Sequence, residues 1–158
     1  MRIATNSEII DISLEVKTAE LAKKFSKIIK KGNVILFHGE IGVGKTTFIR
    51  HLINSFQIRN NLNPTEVTSP TFNFVNEYDV GILVIQHCDL YRLTNNDKIE
   101  NIGLLENAKE ILTLIEWPKK IEKKIDNKID LFFKYGEDMN KRFLSIKGLS
   151  SKKLNEIS

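Results

Sequence analysis

Cysteine occurs once in the 158 residues, at Cys88. That excludes an internal disulfide and agrees with a reducing compartment. No apolar run approaches the roughly 18 residues that a membrane span needs. The opening stretch MRIATNSEII has no apolar core followed by a small-residue cleavage site, so the expectation is a cytoplasmic protein. Internal repeats and long linkers are missing, which makes one domain the default, with room for a hydrophobic core. A dense basic patch is missing too. Lys and Arg number 24 against 20 Asp and Glu, a formal charge of +4. The lysines come as scattered pairs, Lys23-Lys24, Lys30-Lys31, Lys119-Lys120, Lys123-Lys124 and Lys152-Lys153. They read as solvated surface rather than the footprint of a dedicated nucleic-acid binder.

What is present is ordered in blocks. Ile9 to Leu14 alternates and reads as a first strand. Thr18 to Ile29 places Leu21, Ala22, Phe25, Ile28 and Ile29 at helical spacing, and Lys30-Lys31-Gly32 ends that helix. Val34 to Phe37 is a short buried strand, and Thr46 to Phe56 is a helix. Strands are expected over Thr71–Tyr78, Ile82–Cys88 and Ile111–Trp117, with helix and loop over Lys98–Asn107. Ile129–Tyr135 and Arg142–Lys147 read as a terminal pair joined near Gly136. The fold class is therefore α/β, a three-layer core of the P-loop NTPase type around a mixed, mostly parallel sheet. One domain over 1–149 is expected, with a frayed polar tail over 150–158.

Between the strand ending at Phe37 and the helix lies HGEIGVGKTTF, His38 to Phe48. Its spacing, G-x-x-x-x-G-K-T, is that of a phosphate-gripping loop. The glycines let the backbone fold tightly, so that N–H groups of Gly39, Ile41, Gly42, Val43, Gly44, Lys45, Thr46 and Thr47 can turn to an anion. The helix aims its positive end at the same place. Lys45 would reach the outer phosphates and the Thr46 hydroxyl would bind Mg²⁺. Two apolar strands end in carboxylates, Ile82–Cys88 in Asp89 and Ile111–Ile115 in Glu116, at the edge where open α/β sheets bind ligands. Both suit a metal site and the positioning of water. His38 and His87 stand beside these strand ends and read as structural or supporting. Asn127-Lys128-Ile129-Asp130 fits the N-K-x-D pattern that reads guanine. However, a charged segment precedes it where an apolar strand is required, which argues against guanine.

Three further stretches are distinctive: TSPTFNFVNEY (Thr68–Tyr78), HCDLYRL (His87–Leu93) and LIEWP (Leu114–Pro118), with IGLLE (Ile102–Glu106) between the last two. In this order, and with the loop before them, they resemble the TsaE family, also called YjeE. These are bacterial P-loop ATPases of tRNA threonylcarbamoyladenosine synthesis. The resemblance covers roughly Thr18 to Pro118. It implies binding and hydrolysis of ATP with Mg²⁺, in support of two partners, TsaB and TsaD. TsaD is the one that carries the transfer onto tRNA. Residue by residue, the resemblance implies that Lys45 and Thr46 contact phosphate and Mg²⁺. Glu116 becomes the Walker B acid, Asp89 the switch carboxylate acting on water, Thr71 a second switch residue, and Trp117 a neighbour of the active site. Arg142 is expected on the nucleotide or partner surface and Glu15 on the base side. The loop departs from the usual G-D-L-G-A-G-K-T at Glu40 and Val43.

Two other readings fit the loop. A small-molecule or nucleoside kinase would need an acceptor site and an arginine-bearing lid. Only Arg2, Arg50, Arg59, Arg92 and Arg142 are available, and no segment concentrates them. A nucleotide-sensing module would use Asp89 and Glu116 only to hold Mg²⁺.

Overall fold

The structure, a computed structural model, describes residues 5–70, 74–94 and 102–158. Its elements run β1 (Thr5–Asn6), β2 (Ile10–Asp11), α1 (Glu15–Ser26), β3 (Val34–His38), α2 (Lys45–Arg59), β4 (Val75–Asp79), β5 (Val84–Asp89), β6 (Leu112–Glu116), β7 (Lys128–Tyr135), β8 (Arg142–Leu149) and α3 (Ser151–Ile157). A 3-10 turn, Pro118–Lys120, follows β6.

The strands make one mixed sheet in the order β1-β8-β7-β3-β6-β5-β4, with β2 also paired to β8. The parallel part is its centre: β3 runs parallel to both β6 and β7, and β5 parallel to β6. The flanking pairs, β4 with β5 and β7 with β8, are antiparallel. The α/β class with a mixed sheet is thus as expected, its parallel character concentrated in four central strands. β3 and β6 among them are buried on both faces, which is why they read as nearly continuous apolar runs. Leu112, Thr113, Leu114 and Ile115 are each 0% exposed.

One face carries α1 and α2. Thr18, Leu21, Ala22 and Phe25 of α1, spaced by three and four, turn inward. They meet Phe48, Ile49, Leu52, Ile53 and Phe56 of α2 over Ile35, Phe37, Leu112 and Leu114. The second layer rests on Val34, Leu36, Cys88 and Ile115 and is built by Leu90, Leu93, Leu104, Ile121 and Ile125. Among the described residues it contains turns and the 3-10 turn rather than a regular helix.

Several boundaries differ from the sequence reading. Helix α1 begins three residues before Thr18 and ends at Ser26, although Ile28 and Ile29 remain buried. Apolar spacing marked burial there, while the backbone had already left the helix. Of Ile9–Leu14 only two residues pair, and the Thr5–Asn6 bridge to β8 has no sequence signal. Of the strand expected over Thr71–Tyr78, 71–73 lie outside the described residues and Val75–Asp79 is strand. The first part of the expected Lys98–Asn107 element also lies outside them.

The clearest correction is the C-terminus. The tail expected to fray is α3, capped by Ser150, whose Oγ accepts the Lys153 N–H at 3.3 Å. Ile157 is 4% exposed and joins the main core, with Leu154 packed beside it. Two apolar residues at i and i+3 sufficed, too few to stand out in a polar segment. We predict that Ile157→Ala costs about 2 kcal/mol, read as a lowered midpoint in urea denaturation; a frayed tail would show no change.

Candidate functional site

Chain path alone places the loop. Strand β3 delivers His38 to the C-terminal edge of the sheet, and residues 39–44 turn back into α2. Gly39 has no substitute: a Cβ there would lie 2.7 Å from the Phe133 carbonyl oxygen. Gly44, at φ +113°, stands at the start of α2 in a conformation that favours glycine. Val43 proves to be a core residue, 1% exposed, with its N–H donated to the Glu40 oxygen at 3.3 Å. Its side chain packs into the main core. Glu40 and Ile41 are exposed, so the two departures from the usual loop leave the grip untouched.

Lys45 is buried at 4% exposure. Its Nζ donates to the Gly39 carbonyl oxygen and lies 3.6 Å from the centroid of the Trp117 ring. Burial pulls its pKa down, opposed by the charges of Glu116 and Asp89. The Trp117 backbone is left-handed at φ 59°, a conformation that costs a bulky residue about 1 kcal/mol. That strained turn at the end of β6 sets the indole over Lys45, and Tyr91 packs on it at 4.8 Å.

The two strand-end carboxylates are register partners, Asp89 opposite Glu116 on parallel β5 and β6. Glu116 is 2% exposed. It accepts hydrogen bonds from the Thr46 hydroxyl at 2.9 Å and from the His87 ring Nε2 at 2.8 Å, and Ser69 Oγ lies 3.4 Å away. Asp89 accepts the Tyr91 N–H at 2.9 Å and the Ser69 hydroxyl at 3.2 Å. Burial raises the Asp89 pKa, and the neighbouring Glu116 charge adds to it.

A cavity of about 260 Å³ opens on this cluster, lined by Gly42, Lys45, Thr46, Ser69, Asp89 and Glu116 among others. A second, of about 710 Å³, lies between the β2–α1 turn and the start of β8, lined by Ser13, Leu14, Glu15, Thr18, Thr47 and Arg142 among others. Gly44, Thr47 and Arg142 border both. Glu15 faces the second cavity and is held by Arg50 and, at 2.9 Å, by His51. Thr71 lies outside the described residues.

The donors fit Mg²⁺. Among the described residues no group of three or more His, Cys, Asp and Glu forms a dedicated metal cage. Two carboxylates and two hydroxyls, all hard oxygens, suit an ion that keeps waters and leans on phosphate oxygens.

Sequence reasoning missed Ser69, since TSPTF contains several hydroxyls and nothing in it says which turns inward. His87 was read as supporting, and its contact with Glu116 agrees. The signal was its place two residues before Asp89, hence on the same strand face. His38 bonds Asp130 at 2.7 Å and stacks on Phe132. The N-K-x-D stretch starts β7 in register with the first residue of β3, at the opposite edge of the sheet from the loop. It cannot read a base bound at the loop.

A strand, a glycine loop and a helix at the C-terminal edge of parallel strands make the architecture of a phosphate-binding-loop protein. A family model described as threonylcarbamoyl adenosine biosynthesis protein TsaE matches residues 12–143. Three relatives carry the description tRNA threonylcarbamoyladenosine biosynthesis protein TsaE. That of Rickettsia bellii is 41% identical over 117 residues, 74% of this chain and 78% of the relative. That of Aquifex aeolicus is 36% identical, covering 67% and 73%, and that of Bacillus subtilis 34%, covering 69% and 65%. The crystal structure of Bacillus subtilis YdiB has the same fold, with TM-score 0.70 at 20% identity over 99% of this chain and 94% of that one. The chain belongs to the TsaE family. No helix among the described residues is long and apolar enough to cross a membrane.

Two measurements check the site. With its pKa raised above the ordinary 3.8, Asp89 binds its proton more tightly in the folded chain than in the unfolded one. Its ionisation therefore costs stability as pH rises through the folded value, and the cost is absent at low pH. Asp89→Asn should raise the melting temperature at neutral pH by about 2 °C, an advantage that narrows as pH falls towards 3.8. Second, His87→Leu should weaken Mg²⁺-dependent nucleotide binding about tenfold by freeing Glu116 to turn, measured by calorimetry.

Proposed function

We propose that this protein is an accessory ATPase that binds ATP with Mg²⁺, hydrolyses it, and supports turnover of TsaB and TsaD in threonylcarbamoylation of tRNA. The observation that carries the reading is Thr46, Asp89 and Glu116 gathered around one point beside Lys45. In this reading the triphosphate lies along 41–47, its outer end in the smaller cavity. The nucleoside lies in the larger one, near Glu15, with Arg142 between the two. The backbone N–H groups of the loop and the start of α2 hold the phosphates, and Lys45 exchanges the Gly39 carbonyl for phosphate oxygen.

Mg²⁺, when bound, neutralises charge developing on the phosphoryl oxygens. Thr46 and Glu116 hold the ion. Asp89, half-buried and next to it, orients the attacking water and takes its hydrogen bond. Thr71 is a second candidate near the terminal phosphate. Trp117 and Tyr91 wall the site beside Lys45 and limit entry of bulk water.

Hydrolysis by the isolated chain should be slow. Arg50 is engaged by Glu15 and Arg59 by Ser26, and no described arginine stands over the smaller cavity except Arg142 at its border. Missing positive charge of this kind is what a partner supplies. The kinase reading loses ground on the same observation. The partners are proposed as TsaD and TsaB, with tRNA met through TsaD, in the cytoplasm.

The test is ATP hydrolysis by the full chain with and without TsaB and TsaD. We expect partner-dependent stimulation, lowered by at least about tenfold in Glu116→Ala and in Asp89→Ala. Phosphoryl transfer that appears only with a small acceptor would replace this reading with the kinase.

A further inference from the structure

Ser69 sits at the one point where all three expected metal-site oxygens meet. Its Oγ is 3.3 Å from Thr46 Oγ1, 3.2 Å from Asp89 Oδ2 and 3.4 Å from Glu116 Oε2. The proton count of this cluster is informative. Thr46 spends its hydroxyl proton on Glu116 Oε1. Ser69 has one proton, which can go to Asp89 or to Glu116 but not to both. With both carboxylates ionised, at least one close oxygen pair is therefore left with no hydrogen between them. An oxygen cluster short of protons, with two carboxylates in it, is completed by a cation.

The seat of Ser69 is built. Val67 before it is 5% exposed and Pro70 after it is buried. The Thr68 carbonyl between them accepts the Asn76 side-chain N–H at 3.3 Å. Upstream, Gln57 of α2 fixes Thr65 through both its backbone N–H and its hydroxyl. The hydroxyl is thus presented by a chain segment anchored on both sides, not by a loose surface turn.

The geometry points to Ser69 as a further ligand of the Mg²⁺–nucleotide complex: its hydroxyl oxygen binds the ion directly, beside Thr46. This rests on the nucleotide reading of the site. It adds a neutral oxygen from the segment before β4 to those supplied by α2 and by the strand ends. Ion binding then draws three separate stretches of chain onto one centre. A direct ligand and a mere spacer make different demands on the atom at this position, and the metal can be changed to tell them apart.

The experiment is calorimetric titration of the full chain with a non-hydrolysable ATP analogue, without metal, with Mg²⁺ and with Cd²⁺. Wild type, Ser69→Ala, Ser69→Cys and Ser69→Thr are compared, each checked for wild-type melting. Wild type should bind more tightly with Mg²⁺ by about tenfold. Ser69→Ala should keep the metal-free affinity and lose most of that gain, while Ser69→Thr keeps it. In Ser69→Cys the gain should vanish with Mg²⁺ and return with Cd²⁺, since a thiolate prefers the softer ion. An unchanged Mg²⁺ gain in Ser69→Ala overturns the assignment. So does a loss in Ser69→Ala with no Cd²⁺ return in Ser69→Cys, which would make the hydroxyl a spacer. Wild type with no Mg²⁺ gain at all overturns the metal–nucleotide reading itself, a different result from either.

Discussion

A carboxylate buried to 2% exposure has to be satisfied, and the way Glu116 is satisfied organises this end of the molecule. Unpaired, such a group would cost several kcal/mol. It is met by a hydroxyl from the first turn of α2, a ring nitrogen from β5 and a hydroxyl from the segment before β4. Each donor belongs to an element that could be placed otherwise. The position of α2 on the sheet, the register of β5 against β6, and the path of 65–70 back to the sheet edge all converge on two oxygens. Parallel register does the rest: with Asp89 opposite Glu116, two charges share a half-closed space. The fold holds them there because β5 and β6 behind them are buried and contribute Ile85, Leu112 and Leu114 to one core and Cys88 and Ile115 to the other.

Lys45 is held on its own loop carbonyl and against an indole, contacts that screen the cation at modest cost. Across the cavity, negative charge is in excess and the Asp89 carboxyl is pushed towards its protonated form. A divalent ion would relieve the second strain and a phosphate would draw off the first. Neither alone is served well: phosphate without the ion meets two carboxylates, and the ion without phosphate meets too few donors for a cage. The arrangement therefore favours the two together, which is what a nucleotide–metal complex is. Functional sites commonly give up stability in this way for preorganisation.

How much of this was legible in the sequence follows from where the information sits. Loop, central strands and strand-end acids are each fixed by local chemistry: glycine spacing, unbroken apolar runs, and a charge ending such a run. Lys45, Thr46, Asp89 and Glu116 could accordingly be placed on one edge before any coordinates. Ser69 could not, because a hydroxyl among several has no local mark, and its role arises from a segment crossing from the far end of α2. Helix α3 was invisible for a related reason. Its inward face is two residues wide, and only tertiary contact with the main core tells Ile157 from a solvated isoleucine. Val43 differs again: the motif marks its backbone as part of the loop, while only the tertiary structure shows its side chain in the core.

Trp117 joins these threads. A left-handed tryptophan is a backbone expense that survives only where surroundings over-determine it. Here they do. Glu116 before it is pinned by Thr46 and His87, and Pro118 after it begins a 3-10 turn whose Lys120 donates to the Tyr91 carbonyl at 2.7 Å. The ring is thus held between Glu116 and the Tyr91 turn, with the Lys45 ammonium against its face. On the proposed function, Lys45 moving to a phosphate would take its cation from the indole face. The energy at stake is on the order of 1 kcal/mol, small against global stability but enough to shift a local equilibrium several-fold. On that reading, occupancy of the site would alter contacts of Trp117 that reach an exposed edge, since Tyr91, packed on the indole, is 51% exposed.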